Sequence, residues 1–563
     1  MCKKYYLLFS LVLFNQLFGA CAPAGTAGND VVTCTGNIHS AQQFYGGDDS
    51  VTLQNVSDVN YTAVYWLDES HSGNPATDGN DTFVSNHSRF FWVFGFSGDD
   101  TFTINHSQFN NAYGDTNPDH VRTQRGNDIL LITNSVSYGY ILGGNDNDIM
   151  TIRDSNVSNV ASGYSDIYGQ IDYTPFDGND TILLDHVNFT APLYWDQNST
   201  EGVVLSGKGD DSIIFRHGGE AYYVYGGHGN DRIEVYDNEH FNACQSSSQI
   251  TDRCGIYGDE SYASEPNATV IPILHGDDAI LLHGGDVSGI LIQGGDGSDK
   301  VLIDTEVVLV DTLLDGGDDR AASDGFVDQI VFNQWMGEVS GTDLKNWEQI
   351  IFENSSMVSF TGQIIETGYA STAGGISYGL IIRDNATWRQ VGDFSIDGNV
   401  HNDAIIDMQN GDQPGSILQV AYGYSSDDGA IYLDTVLNDA SSVQSDGIVI
   451  EGNSSGHTTL YINNIGGVGG QTPTGDNGGI LVIQVEGNSL GTFSLGNRLE
   501  AGEYLYTLQQ GSNGNWYLKS EKKYSCSCEQ ILSDSADTVN IIGIFVLLMA
   551  CMLLVKREEI NSF

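Results

Sequence analysis

Short acidic turns recur along the first 300 residues of this 563-residue chain, and a short apolar segment follows almost every one. Each turn reads Gly-Asn-Asp, Gly-Asp-Asp or a close variant. Glycine opens a turn so that backbone carbonyls can face a cation, and aspartate supplies the hard oxygen that Ca²⁺ prefers. The candidate calcium ligands are the final aspartates of four such turns, Asp211, Asp231, Asp278 and Asp299.

The same turns also have a purely structural interpretation. Asparagine accepts the left-handed backbone conformation and aspartate bonds to nearby backbone, so Gly-Asn-Asp makes a good tight turn without a metal. Aspartates stacked about 5 Å apart, one strand spacing, would repel one another, and a bound cation would stabilise them. The residue pattern leaves both interpretations open.

Two of the turns are more complete than the others. Residues 226–233 read Gly-Gly-His-Gly-Asn-Asp-Arg-Ile, and residues 294–301 read Gly-Gly-Asp-Gly-Ser-Asp-Lys-Val. This pattern resembles the calcium-binding repeat of RTX proteins, and the resemblance implies Ca²⁺ as a ligand. RTX repeats follow one another every nine residues, whereas these turns do not.

The spacing of the turns predicts the architecture that positions them. From Asp49 to Asp299, successive final aspartates are separated by 32, 19, 28, 20, 32, 31, 20, 47 and 21 residues. Periods near 20 residues are typical of a solenoid, and the longer gaps indicate coils that carry an insertion or have lost the turn. The apolar residues lie in short runs typical of strands, without a long helical periodicity between residues 40 and 520. We therefore predict an all-β chain that folds as a parallel β-helix, with Ile182, Leu184, Ile213 and Phe215 stacked inside.

The charge of the chain limits its partners. There are 74 Asp and Glu residues against 21 Lys and Arg, which gives a formal net charge of −53. A nucleic-acid partner is therefore not expected, because phosphate binding needs a basic surface. Such acidity favours solubility and divalent cations.

Both ends of the chain carry segments typical of export and anchoring. Two lysines, an apolar run and small residues predict a signal peptide over residues 1–20. Residues 539–555 have no charged residue and precede Lys556 and Arg557, which predicts one transmembrane helix. Residues 521–538 would then be a linker and residues 556–563 a cytoplasmic tail.

The cysteines fit an oxidising compartment. Cys21 and Cys34 are 13 residues apart and Cys244 and Cys254 are 10 apart, so we predict the disulfides Cys21–Cys34 and Cys244–Cys254. Residues 18–21 also resemble a loose lipobox, which would instead make Cys21 a lipid anchor.

The chain changes in character near residue 415, where the acidic turn fades and longer alternating strands appear. The distinctive segments are Ala-Ile-Tyr-Leu-Asp-Thr-Val-Leu at 430–437, Gly-Asn-Ser-Ser-Gly-His-Thr-Thr-Leu at 452–460, Gly-Ile-Leu-Val-Ile-Gln-Val-Glu-Gly at 479–487 and Asn-Trp-Tyr-Leu-Lys-Ser at 515–520. Residues 415–520 resemble the autochaperone-type end of the pertactin-like passengers of bacterial autotransporters. The resemblance implies that residues 21–414 form the body of a right-handed β-helix, exported and displayed at the cell surface, whose C-terminal coils nucleate folding.

One departure from that family follows from the residues after Ser520. A translocating barrel needs roughly a dozen strands of about ten residues each, and 43 residues follow Ser520. We therefore expect no translocator barrel in this chain.

The function expected from the sequence is non-catalytic adhesion, binding or a structural role in the cell envelope or at the cell surface. The partners would be the membrane, through the C-terminal helix, and a host or cell-surface glycan or protein. Insertions in the longer gaps are predicted to carry the binding surface, because loops on a solenoid carry function. No catalytic residue is assigned, and no cofactor is expected except possible Ca²⁺.

Two alternatives come from other classes of function. A polysaccharide-active β-helix enzyme would use Asp210 and Asp211 as acid and base beside His228. However, the Asn-Thr-Asp and Arg-x-Lys motifs of pectin-cleaving hydrolases are missing. A calcium-stabilised structural spacer is the second alternative.

Overall fold

The computed structural model describes most of the chain between Ala20 and Lys523. The described ranges are 20–58, 62–67, 79–115, 125–162, 178–189, 202–237, 254–259, 276–317, 320, 325–369, 371–372, 375–376, 378–390, 392–409, 413–439 and 444–523. The predicted transmembrane helix at 539–555 lies outside the described residues, as does the predicted signal peptide except for its last residue. Within these ranges no helix is long and apolar enough to cross a membrane.

The described residues form 47 short strands and one 3₁₀ turn, Gly341–Asp343, without an α-helix. Up to residue 260 the strands are β1 Ala20–Ala22, β2 Val31–Asn37, β3 Gln42–Gln43, β4 Ser50–Ser57, β5 Val64–Trp66, β6 Thr82–Asn86, β7 Trp92–Phe94, β8 Thr101–Asn105, β9 Gln108–Phe109, β10 Asn111–Tyr113, β11 Ile129–Thr133, β12 Val136–Ser137, β13 Tyr140–Leu142, β14 Ile149–Val157, β15 Asn159–Ala161, β16 Thr181–Phe189, β17 Val203–Lys208, β18 Ser212–Glu220, β19 Tyr223–His228, β20 Arg232–Tyr236 and β21 Gly255–Asp259.

The second half of the chain continues the same pattern of short strands. They are β22 Ala279–Asp286, β23 Leu291–Gly295, β24 Lys300–Val308, β25 Leu313–Gly317, β26 Gln329–Asn333, β27 Met336–Ser340, β28 Leu344–Lys345, β29 Gln349–Glu353, β30 Met357–Thr361, β31 Ile364–Glu366, β32 Ser371–Thr372, β33 Gly375–Ile376, β34 Gly379–Ile382, β35 Thr387–Arg389, β36 Phe394–Asp397, β37 Val400–Asn402, β38 Ile405–Asp407, β39 Ile417–Val420, β40 Tyr424–Thr435, β41 Gly447–Ile450, β42 Ser454–Asn464, β43 Ile480–Val485, β44 Thr492–Leu495, β45 Leu499–Ala501, β46 Tyr504–Gln510 and β47 Trp516–Lys522.

The chain alternates between sheets as each coil is completed. A sheet of 25 strands, which we call the long sheet, includes β2, β4, β6 and β8, while β3, β5 and β7 belong to a second sheet of 12 strands. A third sheet of eight strands, from β31 to β47, follows the second sheet along the chain. Successive strands of one sheet pair in parallel, so the described residues have the all-β, parallel arrangement predicted for a β-helix. Its handedness stays a prediction.

The core is a stack of like residues from successive coils. Ile182 pairs with Ile213 and Leu184 with Phe215, and all four are buried, as predicted from the sequence. Alternate residues of each strand face outward, because successive side chains of a strand point to opposite faces. Stacking the next coil buries the exposed edge of the one before it.

Antiparallel strands close both described ends of the stack. β1 pairs antiparallel with β2, and Cys21 and Cys34 form a disulfide across that pair. At the other end, β46 pairs antiparallel with β45 and β47. Cys254 is also disulfide-bonded, and its predicted partner Cys244 lies outside the described residues.

Candidate functional site

The final aspartates of the acidic turns form one continuous column inside the molecule. The inner acidic column consists of Asp49, Asp81, Asp100, Asp128, Asp148, Asp180, Asp211, Asp231, Asp278 and Asp299. Each of these is buried. Its Oδ1 accepts a hydrogen bond from the backbone N–H of the motif aspartate one coil earlier. Along the column from Asp49 to Asp299, each of these N–O distances is 2.7–2.8 Å. The column continues to Asp328 and Glu348 with the same pattern.

The middle residues of the turns form a second column, which is exposed. Its hydrogen bonds run along the stack in the opposite direction to those of the inner acidic column. The outer polar column consists of Asp48, Asn80, Asp99, Asn127, Asn147, Asn179, Asp210, Asn230 and Asp277. Here Oδ1 accepts from the backbone N–H of the next coil, for example from Asn230 to Asp210 at 2.9 Å and from Asp277 to Asn230 at 2.8 Å. These bonds explain why asparagine and aspartate interchange at this position, since both present an acceptor oxygen.

Glycine is required because the turns pack backbone against backbone. A Cβ atom at position 229, where φ is +129°, would lie 2.0 Å from the carbonyl oxygen of Gly209. A Cβ atom at position 226 would lie 2.7 Å from Oδ2 of Asp231, so this glycine makes room for the buried carboxylate. Both glycines therefore have a structural role at this turn.

Burial changes the proton affinity of the inner acidic column. Loss of solvent, followed by the charge of neighbouring carboxylates, raises the pKa of Asp278 to about 10 and that of Asp231 to about 9. Burial likewise raises the pKa of Asp211 and Asp299 to about 7, against hydrogen bonds from the backbone of Asp180 and Asp278 that lower them. The protonated acid is thus favoured at neutral pH for Asp231 and Asp278.

The four predicted calcium ligands, Asp211, Asp231, Asp278 and Asp299, all lie in the inner acidic column. Oδ1 of each is bonded to backbone, while Oδ2 of Asp231, Asp278 and Asp299 is buried without a hydrogen-bond partner. Among the described residues, two groups of three ligand side chains lie within 4.8 Å, and neither includes these aspartates. Calcium binding by the column stays a prediction.

The structure separates the residues of the alternative hydrolytic site. Asp210 is exposed in the outer polar column, whereas Asp211 is buried in the inner one. An acid and base pair needs two carboxyl groups facing one substrate. His228 ends β19, and burial, followed by the nearby charge of Lys208, lowers its pKa. Each of the three residues thus has a place in the repeated turn.

The second sheet carries an apolar surface that is separate from the main core. In β7, Val93 packs in the core while Trp92 and Phe94 face the other side. We call this group the outer aromatic stripe; Phe94, Phe96, Tyr113, Leu142, Ala161 and Leu205 in it are buried, and Val64, Trp66, Trp92, Tyr140, Val203 and Tyr225 are partly buried. The rings of Phe94 and Tyr113 stack at 4.9 Å.

The sequence segments next to the outer aromatic stripe include the insertions predicted to bind a partner. Residues 68–78 follow β5 and residues 163–177 follow β15, each inside a 32-residue gap. These insertions lie outside the described residues. The stripe itself was missed by sequence reasoning, because strands of three residues are too short to show alternation.

A further column is formed by residues with a left-handed backbone that lie within or just after strands of the long sheet. The left-handed corner consists of Asn55, His87, His106, Asn134, Asp154, His186, His217 and Asp237, with φ between 46° and 53°. Asparagine, aspartate and histidine tolerate this conformation better than other non-glycine residues. Each stands six residues after a motif aspartate, as His186 does after Asp180, and this spacing is the signal that could have revealed the column.

Comparison with known proteins gives matches over parts of the chain. Residues 395–508 match the family model of the Autochaperone Domain Type 1. A 129-residue stretch, 22% of this chain, is 41% identical to the uncharacterized protein YuaQ of Escherichia coli (strain K12) and covers 9% of it. A 111-residue stretch, 19% of this chain, is 41% identical to the autotransporter adhesin AIDA-I of Escherichia coli and covers 8% of it.

A longer match extends beyond the C-terminal region. Over 255 residues, 42% of this chain, the identity to the probable autotransporter YfaL of Escherichia coli (strain K12) is 29%, and the match covers 18% of that protein. The chain thus spans less than a fifth of the length of these three relatives. The resemblance to autotransporter passengers is confirmed.

Proposed function

We propose that this chain, which is similar in part to autotransporter passengers, is an exported, surface-displayed β-helical protein that acts as an adhesin without catalysis. The observation that carries the proposal is the outer aromatic stripe. It lies on one side of a rigid stack and includes partly exposed tryptophan and tyrosine rings. Similarity to the autotransporter adhesin AIDA-I supports the same class of function.

The chemistry of the stripe suits a glycan or protein partner. Aromatic rings offer large apolar faces at a low cost in side-chain entropy, and Trp and Tyr are enriched at binding hot spots. Trp66, Trp92 and Tyr140 are each only partly buried, so part of each ring can be reached from outside. The partner is a host or cell-surface glycan or protein, contacted by this stripe and by the neighbouring insertions.

The anchoring of the molecule belongs to the same proposal. The apolar residues 539–555 would hold the chain in a membrane, with the β-helix on the outer side. Localisation in the cell envelope or at the cell surface fits the predicted export signal and the relatives.

The proposal is tested by binding of the purified chain to arrays of glycans and matrix proteins and to host cells. Trp92→Ala is expected to reduce binding about thirtyfold or more, since removing an aromatic anchor at a hot spot costs roughly 2 kcal/mol or more. Met336→Ala, at an exposed residue of the long sheet, is the matched control and should bind as the unchanged chain does. Absence of any ligand, or equal binding by both variants, would contradict the proposed role of the stripe.

A second candidate, the calcium-stabilised spacer, is favoured by one observation. The buried Oδ2 atoms of Asp231, Asp278 and Asp299 have no hydrogen-bond partner, and an unpaired buried carboxylate is costly. Either a proton or a cation would remove that cost. Stabilisation by a proton depends on pH, whereas stabilisation by a cation is lost when a chelator is added.

A further inference from the structure

The left-handed corner brings two histidines and one aspartate together on the surface. This corner cluster consists of Asp185, His186 and His217. We propose that the corner cluster binds a divalent transition-metal ion, with Zn²⁺ as the ion that its ligands fit best. The site is independent of the inner acidic column and of the proposed adhesive function.

The distances within the cluster already match a metal site. Nδ1 of His217 lies 3.0 Å and Nδ1 of His186 lies 3.2 Å from the same oxygen, Oδ1 of Asp185. Around a tetrahedral zinc ion with bonds of about 2.0–2.1 Å, neighbouring ligand atoms lie about 3.3 Å apart. All three ligand atoms lie within 4.8 Å of one another, so one ion can reach all three after rotation of the side chains.

The β-helix fixes the two imidazoles relative to each other. Asp185 pairs with Arg216 in adjacent strands, so the next residues, His186 and His217, occupy equivalent corners of successive coils. Their φ angles are 53° and 52°, and their rings stack at 5.2 Å with an angle of 14° between planes. The backbone thus places both histidines on adjacent coils before an ion arrives, and their rings must turn out of the stacked arrangement for both Nδ1 atoms to face one ion.

Charged side chains on both sides of the cluster act on a cation at Oδ1 of Asp185. Nε of Arg153 lies 3.8 Å from Oδ2 of Asp185, and its positive charge opposes a cation at this carboxylate. Oδ1 of Asp154 lies 3.8 Å from Nδ1 of His186 and provides a possible fourth ligand. Burial alone would raise the pKa of Asp185, but the hydrogen bond from His217 and the nearby charges bring it below its ordinary value. The carboxylate is thus ionised at neutral pH.

The donor set selects the class of metal. Two imidazole nitrogens with one carboxylate suit zinc and other late first-row metals, whereas Ca²⁺ and Mg²⁺ prefer oxygen ligands alone. The other group of ligand side chains within the described residues, His401, Asp403 and Asp427, has a single imidazole. Nδ1 of His401 lies 2.6 Å from Oγ of Ser425. The corner cluster, with two imidazoles, is therefore the stronger site.

The test is a zinc titration of the untagged full-length chain by calorimetry, in excess Mg²⁺. Magnesium occupies sites made of carboxylates alone, which matters on a chain with 74 Asp and Glu residues. We expect one saturable zinc site per chain. His217→Ala and Asp185→Asn should each weaken zinc binding about tenfold or more, because each removes a direct ligand.

The chain offers a matched control in a second stacked pair of corner histidines. His87 and His106 stack at 4.8 Å, but asparagine, Asn86, stands at the position that corresponds to Asp185. His87→Ala should leave zinc affinity unchanged, with circular dichroism confirming that each variant is folded. The proposal is overturned if the unchanged chain shows no zinc site in Mg²⁺, if His217→Ala binds as tightly, or if His87→Ala weakens binding equally.

Discussion

At the scale of single residues, the buried aspartates are structural acceptors whose second oxygen determines how the fold responds to pH. Oδ1 is always bonded to the previous coil, so the conformation of the turn does not depend on the protonation of Oδ2. The folded-state pKa of Asp278 is about 10, against an ordinary value of 3.8. Because the folded chain binds this proton more tightly than the unfolded chain, protonation stabilises the fold.

The first prediction concerns thermal stability as a function of pH. The stabilisation by protonated column aspartates is fully present below the unfolded pKa of 3.8 and is lost as pH rises towards the folded pKa, about 10 for Asp278. In the presence of a chelator, the melting temperature should therefore fall as pH rises through this window. Asp278→Asn should make the fall shallower, since the amide does not titrate there.

The same measurement distinguishes stabilisation of the column by protonation from stabilisation by a bound cation. If Ca²⁺ occupies the column, adding Ca²⁺ at alkaline pH should restore the melting temperature of the unchanged chain, because a ligand bound to the folded state stabilises it. If protonation alone relieves the buried oxygens, Ca²⁺ should have no more effect than Mg²⁺. A melting temperature that rises with pH across the window would contradict both accounts.

At the scale of elements, the turn is the unit that sets the spacing between coils. Gly229 has φ of +129°, and its Cα faces the carbonyl oxygen of Gly209. The Cα of Gly209 faces the carbonyl oxygen of Gly178 in the same way. A side chain anywhere in this glycine column would push two coils apart. The outer polar column and the inner acidic column would then lose their hydrogen bonds at the same place.

The second prediction is a substitution in that column of glycines. Gly229→Ala should lower the free energy of unfolding by about 2 kcal/mol or more, since it combines backbone strain with a clash of 2.0 Å against backbone. Gly28→Ala is the matched control, because a Cβ atom there meets nothing within 4 Å. Denaturant unfolding measures both, and equal stability of the two variants would contradict the role assigned to the glycine column.

The elements also show what could be read from the sequence and what could not. The strands that follow the turns, and the inward positions of Ile182 and Phe215, were predictable because the glycine and aspartate signal repeats and because alternation extends over five or more residues. The outer aromatic stripe was not, since β7 and β13 have three residues each. The corner cluster depends on which coils become neighbours, and His186 and His217 are 31 residues apart in a chain with irregular insertions.

At the scale of the whole molecule, each coil contacts mainly its neighbours, so the ends of the stack govern how it forms. The described C-terminal end is closed by the antiparallel strands β45, β46 and β47, with Leu518 buried between them. Residues 395–508 match an autochaperone family model, and a stable end coil can act as template for the next. Folding is therefore expected to start here.

The third prediction compares two leucines at opposite ends. Leu518 and Leu53 are both fully buried, in β47 and β4. Leu518→Ala and Leu53→Ala should each cost about 2–5 kcal/mol of stability, by loss of buried apolar volume. Only Leu518→Ala should slow refolding, since contacts formed in the transition state affect the folding rate. Equal refolding rates in stopped-flow fluorescence would contradict a C-terminal nucleus.

The two polar columns also bear on how such a chain can change in length. In the inner acidic column, each turn accepts a hydrogen bond from the turn one coil earlier. In the outer polar column, each turn accepts one from the turn one coil later. Successive acidic turns are therefore joined by the same pair of hydrogen bonds. A segment running from one acidic turn to the next can thus be duplicated or deleted by recombination without leaving a mismatched joint. The length of the stack then becomes a trait that evolution can adjust in whole-coil steps.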